Sequence, residues 1–227
     1  MQMNLDYRRY AFASFSAVPP PAPTRVDTVV FDLGGVLIDW NPRHLYRTLF
    51  DDEARMERFL AEVCSPAWND AQDRGRDWRE AVDGLSATFP DERARIAAFD
   101  ARWPETLGGA LEGTVALLDA LRREAGVRLF ALTNWSQSKF PLARERFDFL
   151  QWFEGIVVSG EEGMAKPDAA IFERTCQRFG LVPARTLFID DAPRNVEAAR
   201  ALGWQAVRFE SPAQLADALR AYGLLAR

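Results

Sequence analysis

The chain has no excess of basic residues, only two cysteines, a single histidine and no long apolar run. Lys and Arg number 28 against 33 Asp and Glu, and the arginines are interleaved with acids, as in Glu53-Ala54-Arg55 and Arg144-Glu145-Arg146. That is a solvated mixed surface and not a nucleic-acid footprint. No apolar stretch approaches the roughly 20 residues that cross a bilayer, so no membrane partner is expected. Cys64 and Cys176 stand far apart in helix-like segments. They read as buried thiols rather than a disulfide, in keeping with a reducing cytoplasm. Internal repeats are absent, and low complexity is confined to the N-terminus.

What is present is an alternation. The first 25 residues, with Pro19-Pro20-Pro21, are expected to be a flexible proline-rich leader. Tyr10 to Val18 faintly imitates a secretory signal, but Asp6 before it and the prolines after it argue against that reading. Beyond the leader, short β-branched runs alternate with longer helical periods, the pattern of a doubly wound α/β sheet. Strands are expected at Thr28 to Leu33, Val127 to Thr133, Gly155 to Ser159, Thr186 to Ile189 and Gln205 to Phe209. Helices are expected at Thr114 to Glu124, Ser136 to Phe149, Asp168 to Phe179, Pro193 to Leu202 and Ser211 to Tyr222.

Between the first two strands the alternation stops. Asn41 to Leu111 contains no convincing strand. Asn41-Pro42 reads as an N-cap with proline at the first helical position. Asp51 to Cys64, Asp77 to Phe89 and Asp91 to Trp103 each open with an acid and carry apolar residues at helical spacing. The expected architecture is a Rossmann-like parallel core (residues 26–40 and 112–227) with an inserted all-helical cap (41–111) placed to act as a lid.

The most informative residues are acids at strand ends. Asp32 follows Val29-Val30-Phe31, and Asp190-Asp191 follows Phe188-Ile189. In a parallel sheet the carboxyl edge of the strands is where ligands bind. Two carboxylate clusters meeting there make a hard, oxygen-rich site suited to Mg2+ rather than a soft metal.

Asp32, Leu132-Thr133-Asn134, Lys166-Pro167 and Asp190-Asp191 together resemble, in order and spacing, the four motifs of the haloacid dehalogenase-like hydrolase superfamily, and the insert resembles its type-one cap. The resemblance spans about Val26 to Phe209. It implies that Asp32 is a nucleophile that forms an aspartyl-phosphate, with Mg2+ held by Asp32, the Gly34 carbonyl and Asp191. Asp190 is either a further ligand or a partner behind the ligands. Thr133 would bind phosphoryl oxygens, Lys166 would balance charge and steady Asp32, and Asn134 and Asn195 would order the loops, Asn134 also lying at the substrate. Trp68-Asn69-Asp70-Ala71-Gln72-Asp73-Arg74-Gly75 resembles the specificity loop of type-one caps, with Asp73, Arg74 and Gln72 toward the substrate and Trp68 or Trp40 as a stacking face.

One departure matters. Most phosphatases of this superfamily carry a second, proton-transferring aspartate two residues after the nucleophile, and here that residue is Gly34. Asp39, His44 or a cap residue is the expected substitute. Haloacid dehalogenases also lack that aspartate and need no metal, so halide displacement by Asp32 is the rival reading. A non-catalytic metabolite-binding protein is a third, and phosphoryl transfer to a second sugar a fourth. Asp32-Leu33-Gly34-Gly35-Val36 resembles the sugar-phosphate phosphatase branch, including α-glucose-1-phosphate phosphatase. The expectation is a monomeric or homodimeric, Mg2+-dependent phosphatase of small phosphorylated metabolites, sugar phosphates foremost.

Overall fold

A computed structural model describes residues 25–124 and 126–226, so the expected leader lies almost wholly outside the described residues. The chain enters β1 (Thr28–Phe31), turns into β2 (Ile38–Trp40), and passes through α1 (Pro42–Tyr46), α2 (Glu53–Glu62), α3 (Pro66–Asp73), α4 (Trp78–Thr88) and α5 (Arg93–Ala101). It returns by β3 (Leu107–Ala110) to α6 (Glu112–Arg123), β4 (Arg128–Thr133), α7 (Phe140–Arg146), β5 (Gly155–Val158) and α8 (Ser159–Glu162). The remainder is α9 (Ala169–Phe179), β6 (Thr186–Asp190), α10 (Pro193–Ala201), β7 (Gln205–Arg208) and α11 (Pro212–Ala221).

The parallel sheet has the order β5-β4-β1-β6-β7, with Phe31 level with Ala131 on one side and Ile189 on the other. Alternate residues of each strand bury on opposite faces, as strand periodicity requires. Val30, Phe130, Leu132 and Phe188 pack with Phe172, Val196 and Trp204 beneath α9 and α10. Val29, Phe31, Ala131 and Ile189 join the other cluster, with Leu118 and Leu121 of α6 and Leu215 and Leu219 of α11. Burial on both faces explains why these strands read as unbroken apolar runs.

This order sets the site. β1 lies between β4 and β6, so the residues at their carboxyl ends, Asp32, Thr133 and Asp190, become neighbours although they are distant in sequence.

The insert opens as expected. The Asn41 side chain accepts a hydrogen bond from Arg43 N at 3.0 Å with Pro42 at the start of α1. Asp52, Ser65 and Asp77 cap α2, α3 and α4 in the same way.

Three details differ from the sequence reading. Leu107–Ala110, inside the stretch read as strand-free, pairs antiparallel with β2 to form a short two-stranded ribbon at the base of the insert. Trp68 to Asp73 is not a loop but most of α3, because Ser65 and Pro66 supply its cap and first turn. The helix expected over Ser136 to Phe149 is confined to α7, because Phe147 leaves helical geometry and Phe149 and Leu150 bury in a following 3-10 turn.

Candidate active site

Asp32 leaves β1 with its amide bonded to Ile189 O at 2.8 Å, which ties it to β6. Its Oδ1 accepts from Leu33 N at 2.7 Å and faces Lys166 Nζ at 2.9 Å. Its Oδ2 accepts no hydrogen bond from the described residues, which leaves that oxygen free to act.

Lys166 is fully buried, and its Nζ also donates to Asp190 Oδ2 at 2.7 Å. Burial by itself would lower the lysine pKa, but the Asp190 and Asp32 carboxylates outweigh it and hold the group above its ordinary value. Asn134 fixes the backbone here: its Nδ2 donates to Lys166 O at 3.0 Å and its Oδ1 accepts from Lys166 N at 2.9 Å. Both ends of that amide are engaged, so Asn134 orders the loop although it reaches the cavity wall.

Asp190 is also fully buried. Its Oδ1 accepts from Ala192 N at 2.9 Å, and Asn195 Nδ2 bridges both oxygens at 3.0 and 3.1 Å. With Lys166 added, every Asp190 oxygen has protein partners. Asp191 is exposed toward the cavity. Burial, then the neighbouring Asp190, raise its pKa. Burial likewise raises Asp32; Lys166 opposes this, while Asp190 and Asp191 add to it.

Asp32, Asp190 and Asp191 each bring a carboxylate oxygen within 4.8 Å of the other two. Three carboxylates around one ammonium leave negative charge that a divalent cation would offset, and the donors, with the Gly34 carbonyl, are all hard oxygens. Two buried polar atoms at this edge have no partner among the described residues: Thr133 Oγ1 at the end of β4, just behind the cavity lining, and Asn195 Oδ1 of α10, a lining residue. A phosphoryl oxygen would satisfy the first and a cation-bound water the second. The residues fit a hydrated Mg2+ and a phosphate.

Above these groups, between core and insert, lies a cavity of about 660 Å3. It is lined by Asp32, Lys166, Asp191, Trp40 and Asp73 among others. Asp73 ends α3, where its backbone carbonyl accepts from Ser159 Oγ at 2.5 Å and its Oδ2 accepts from Asn69 Nδ2 at 3.0 Å. Burial pushes its carboxyl up to about 7, with Asp70 adding to the effect and a Ser136 backbone hydrogen bond and Lys166 opposing it.

Other expected groups are elsewhere. Trp68 is absent from the cavity wall: its ring packs edge-on to Trp78 at 5.6 Å and against Phe99 at 5.8 Å, inside the insert. Arg74 is exposed and pairs with Asp168 of the core at 2.5 Å. Gln72 is fully buried, donating to Trp68 O at 2.6 Å and accepting from Arg76 Nε at 2.6 Å. His44 and Asp39 bond each other at 2.9 Å beside the ribbon and do not line the cavity, so neither replaces the aspartate missing at Gly34.

Sequence reasoning assigned no role to Gly35, the glycine against which Asp191 sits, although it stands within the quoted motif. It also missed the apolar wall of Leu60, Phe99, Trp103 and Trp135, which carries no motif.

Known proteins resemble this chain across most of its length. Sesquiterpene phosphatase astK of Aspergillus oryzae is 28% identical over 182 residues, 79% of this chain and 88% of its own. The phosphoglycolate phosphatase of Pseudomonas putida is 28% identical over 220 residues, 85% of this chain and 77% of its own. Two further relatives are much longer than the match, which spans 34% and 8% of them. Among solved structures, a HAD family enzyme of Bacteroides thetaiotaomicron, an Asp-to-Ala mutant in complex with magnesium and inorganic phosphate, superposes with a TM-score of 0.63 at 22% identity, covering 82% of this chain and 95% of its own. Residues 26–203 match the haloacid dehalogenase-like hydrolases as a family, and together with the fold and the strand-end carboxylates this places the chain among them, as a hydrolase of that family.

Proposed function

We propose that the chain hydrolyses phosphate monoesters of small metabolites with the aid of Mg2+, through an aspartyl-phosphate on Asp32. The observation that carries this reading is the buried Lys166 ammonium between Asp32 and Asp190, with Asp191 beside them at the open edge. Lys166 offsets one of the three carboxylates, and the charge left over would repel an anionic substrate unless a further cation is held there, which disfavours metal-free halide displacement. Relatives named as phosphatases support the same reading.

Asp32, Asp191 and the Gly34 carbonyl would hold the Mg2+. When bound it screens the approaching anion and polarises the phosphoryl group. Asp32 Oδ2, the oxygen with no protein donor, attacks phosphorus while Lys166 holds Oδ1. The ester P–O bond breaks, and the departing alkoxide takes a proton from Asp73. The Asp73 carboxylate then accepts a proton from water as that water attacks phosphorus, the P–O bond to Asp32 breaks, and inorganic phosphate leaves. Thr133 Oγ1, buried and unpartnered, donates to a phosphoryl oxygen throughout. Asp73 suits both proton transfers because its pKa of about 7 populates acid and base forms near neutrality.

The test is phosphate release from sugar phosphates, nucleotides and p-nitrophenyl phosphate, with and without Mg2+, with Asp32→Asn as blank. Metal-dependent release that disappears in the variant supports the reading. Halide release from 2-haloacids without metal would replace it.

A further inference from the structure

The cavity changes character away from the carboxylates. Its apolar lining comes mostly from the insert and its base, Trp40 of β2, Leu60 and Ala61 of α2, Phe99 of α5 and Trp103, joined by Trp135 of the core. Trp103 and Trp135 lie 5.5 Å apart between ring centroids, tilted and in contact, so the two rings form one aromatic corner of the lining.

The polar side chains in this part of the wall already have protein partners. Arg43 donates to both oxygens of Glu57 at 2.5 and 2.6 Å. Ser65 Oγ caps α3, Asn69 donates to Asp73, and Asp70 pairs with Arg194 at 3.5 Å. Gln72, expected to meet substrate hydroxyls, is turned into the insert with both ends of its amide bonded. What the wall still offers a ligand is mainly indole N–H: Trp135 Nε1 is buried without a partner, and Trp40 and Trp103 donate to no described residue.

A polyhydroxylated group placed here would lose water and find few replacement hydrogen bonds, which is costly for each hydroxyl. An apolar group would gain by leaving water against Leu60, Phe99 and the tryptophans. We infer that the organic part of the phosphate ester is apolar, an alkyl, prenyl or aryl group, and not a sugar. The inference rests on the phosphatase reading above and narrows its substrate.

Phosphate release in Mg2+ from ethyl, butyl, hexyl and octyl phosphate, beside glucose 1-phosphate and fructose 1-phosphate, tests it. The expected result is kcat/KM rising by up to about fourfold per methylene until the wall is covered. Octyl phosphate should exceed both sugar phosphates by about 100-fold or more. Leu60→Asn, and independently Ala61→Asp, should lower kcat/KM for octyl phosphate more than for ethyl phosphate, which is too short to reach that wall. A sugar phosphate turned over better than octyl phosphate, or a flat alkyl series, overturns the inference and leaves the phosphatase reading standing. If no ester is hydrolysed, the phosphatase reading fails. Calorimetric binding of octyl phosphate and glucose 1-phosphate then decides the character of the wall: tighter octyl binding supports it, and equal or tighter sugar binding overturns it.

Discussion

A Cβ built on Gly35 would lie 2.7 Å from Asp191 Oδ2, so the carboxylate at the open edge of the site rests directly against a backbone that only glycine permits. Gly35 has φ +76°, in the left-handed region that disfavours side chains. The turn after β1 therefore does two things: it carries Gly34 toward the cavity and leaves space for the acid arriving from β6.

Gly35→Ala should consequently act through the metal. It costs about 1–2 kcal/mol of stability from backbone strain and displaces Asp191. The Mg2+ concentration for half-maximal activity should rise about 10- to 100-fold. A magnesium titration of activity checks this; an unchanged midpoint would show that Asp191 is not a ligand.

Lys166→Met removes the ammonium and leaves Asp32 and Asp190 facing each other in a buried site. Breaking a buried pair in this way costs about 3–5 kcal/mol. The expected outcome is a large drop in unfolding free energy by denaturant titration and loss of turnover. The double variant Lys166→Met with Asp190→Asn should recover part of the stability and none of the activity.

Asp73→Asn tests the proton donor and base. Turnover of alkyl phosphates should fall by about 100- to 10,000-fold, while the first-turnover burst of p-nitrophenol from p-nitrophenyl phosphate, whose departure needs no proton, is affected far less and only the steady state that follows it, limited by the water step, slows. The wild-type rate for alkyl esters should decline as pH rises through about 7, and that limb should vanish in the variant. The charged groups around Asp73 are Asp70, itself paired with Arg194, and Lys166, with Asp32 across the same cavity. Gly34 lies outside the positive-φ region, and a Cβ there would meet only Trp40 Cβ at 3.8 Å, so the backbone and first side-chain atom tolerate substitution. Gly34→Asp in the Asp73→Asn background should restore a measurable part of alkyl phosphate turnover.

The same carboxyl makes a stability prediction of definite sign. Its folded pKa of about 7 stands above the ordinary aspartate value of 3.8, so between those values the folded chain binds a proton the unfolded chain has lost. Its contribution is full below about 3.8 and is lost as pH rises through about 7. Asp73→Asn should flatten the fall in Tm across that window relative to the wild type.

Arg74→Ala distinguishes docking of the insert from recognition of substrate. Its exposed pair with Asp168 joins insert to core, so its loss should cost less than about 1 kcal/mol of stability. KM should shift alike for every substrate rather than selectively for one. A selective rise would return Arg74 to the binding site.

The parallel core was legible because β1, β4 and β6 are apolar runs buried on both faces and stopped by polar residues. The same punctuation exposed Asp32, Thr133 and Asp190-Asp191, and the sheet order then brought them together. The ribbon was not legible, because Leu107-Gly108-Gly109-Ala110 has no β-branched residue and becomes a strand only by pairing with Ile38–Trp40. α3 was misread from its polar composition, although Ser65-Pro66 is a helix start and its polar residues Asn69 and Gln72 are buried by bonding within the insert. His44 looked like a catalytic candidate in sequence because its partner, Asp39 at 2.9 Å, comes into view only in the fold. The apolar wall is assembled from separate elements and has no signature in any one of them.

The central claim is that Asp32 works as a nucleophile toward phosphorus beside a divalent cation. Incubating the chain with octyl phosphate and Mg2+, following inorganic phosphate and repeating with Asp32→Asn and with chelator, tests it most directly. The account predicts release that requires both Mg2+ and the Asp32 carboxylate. Release that persists in Asp32→Asn, or that is undiminished by chelator, would contradict it.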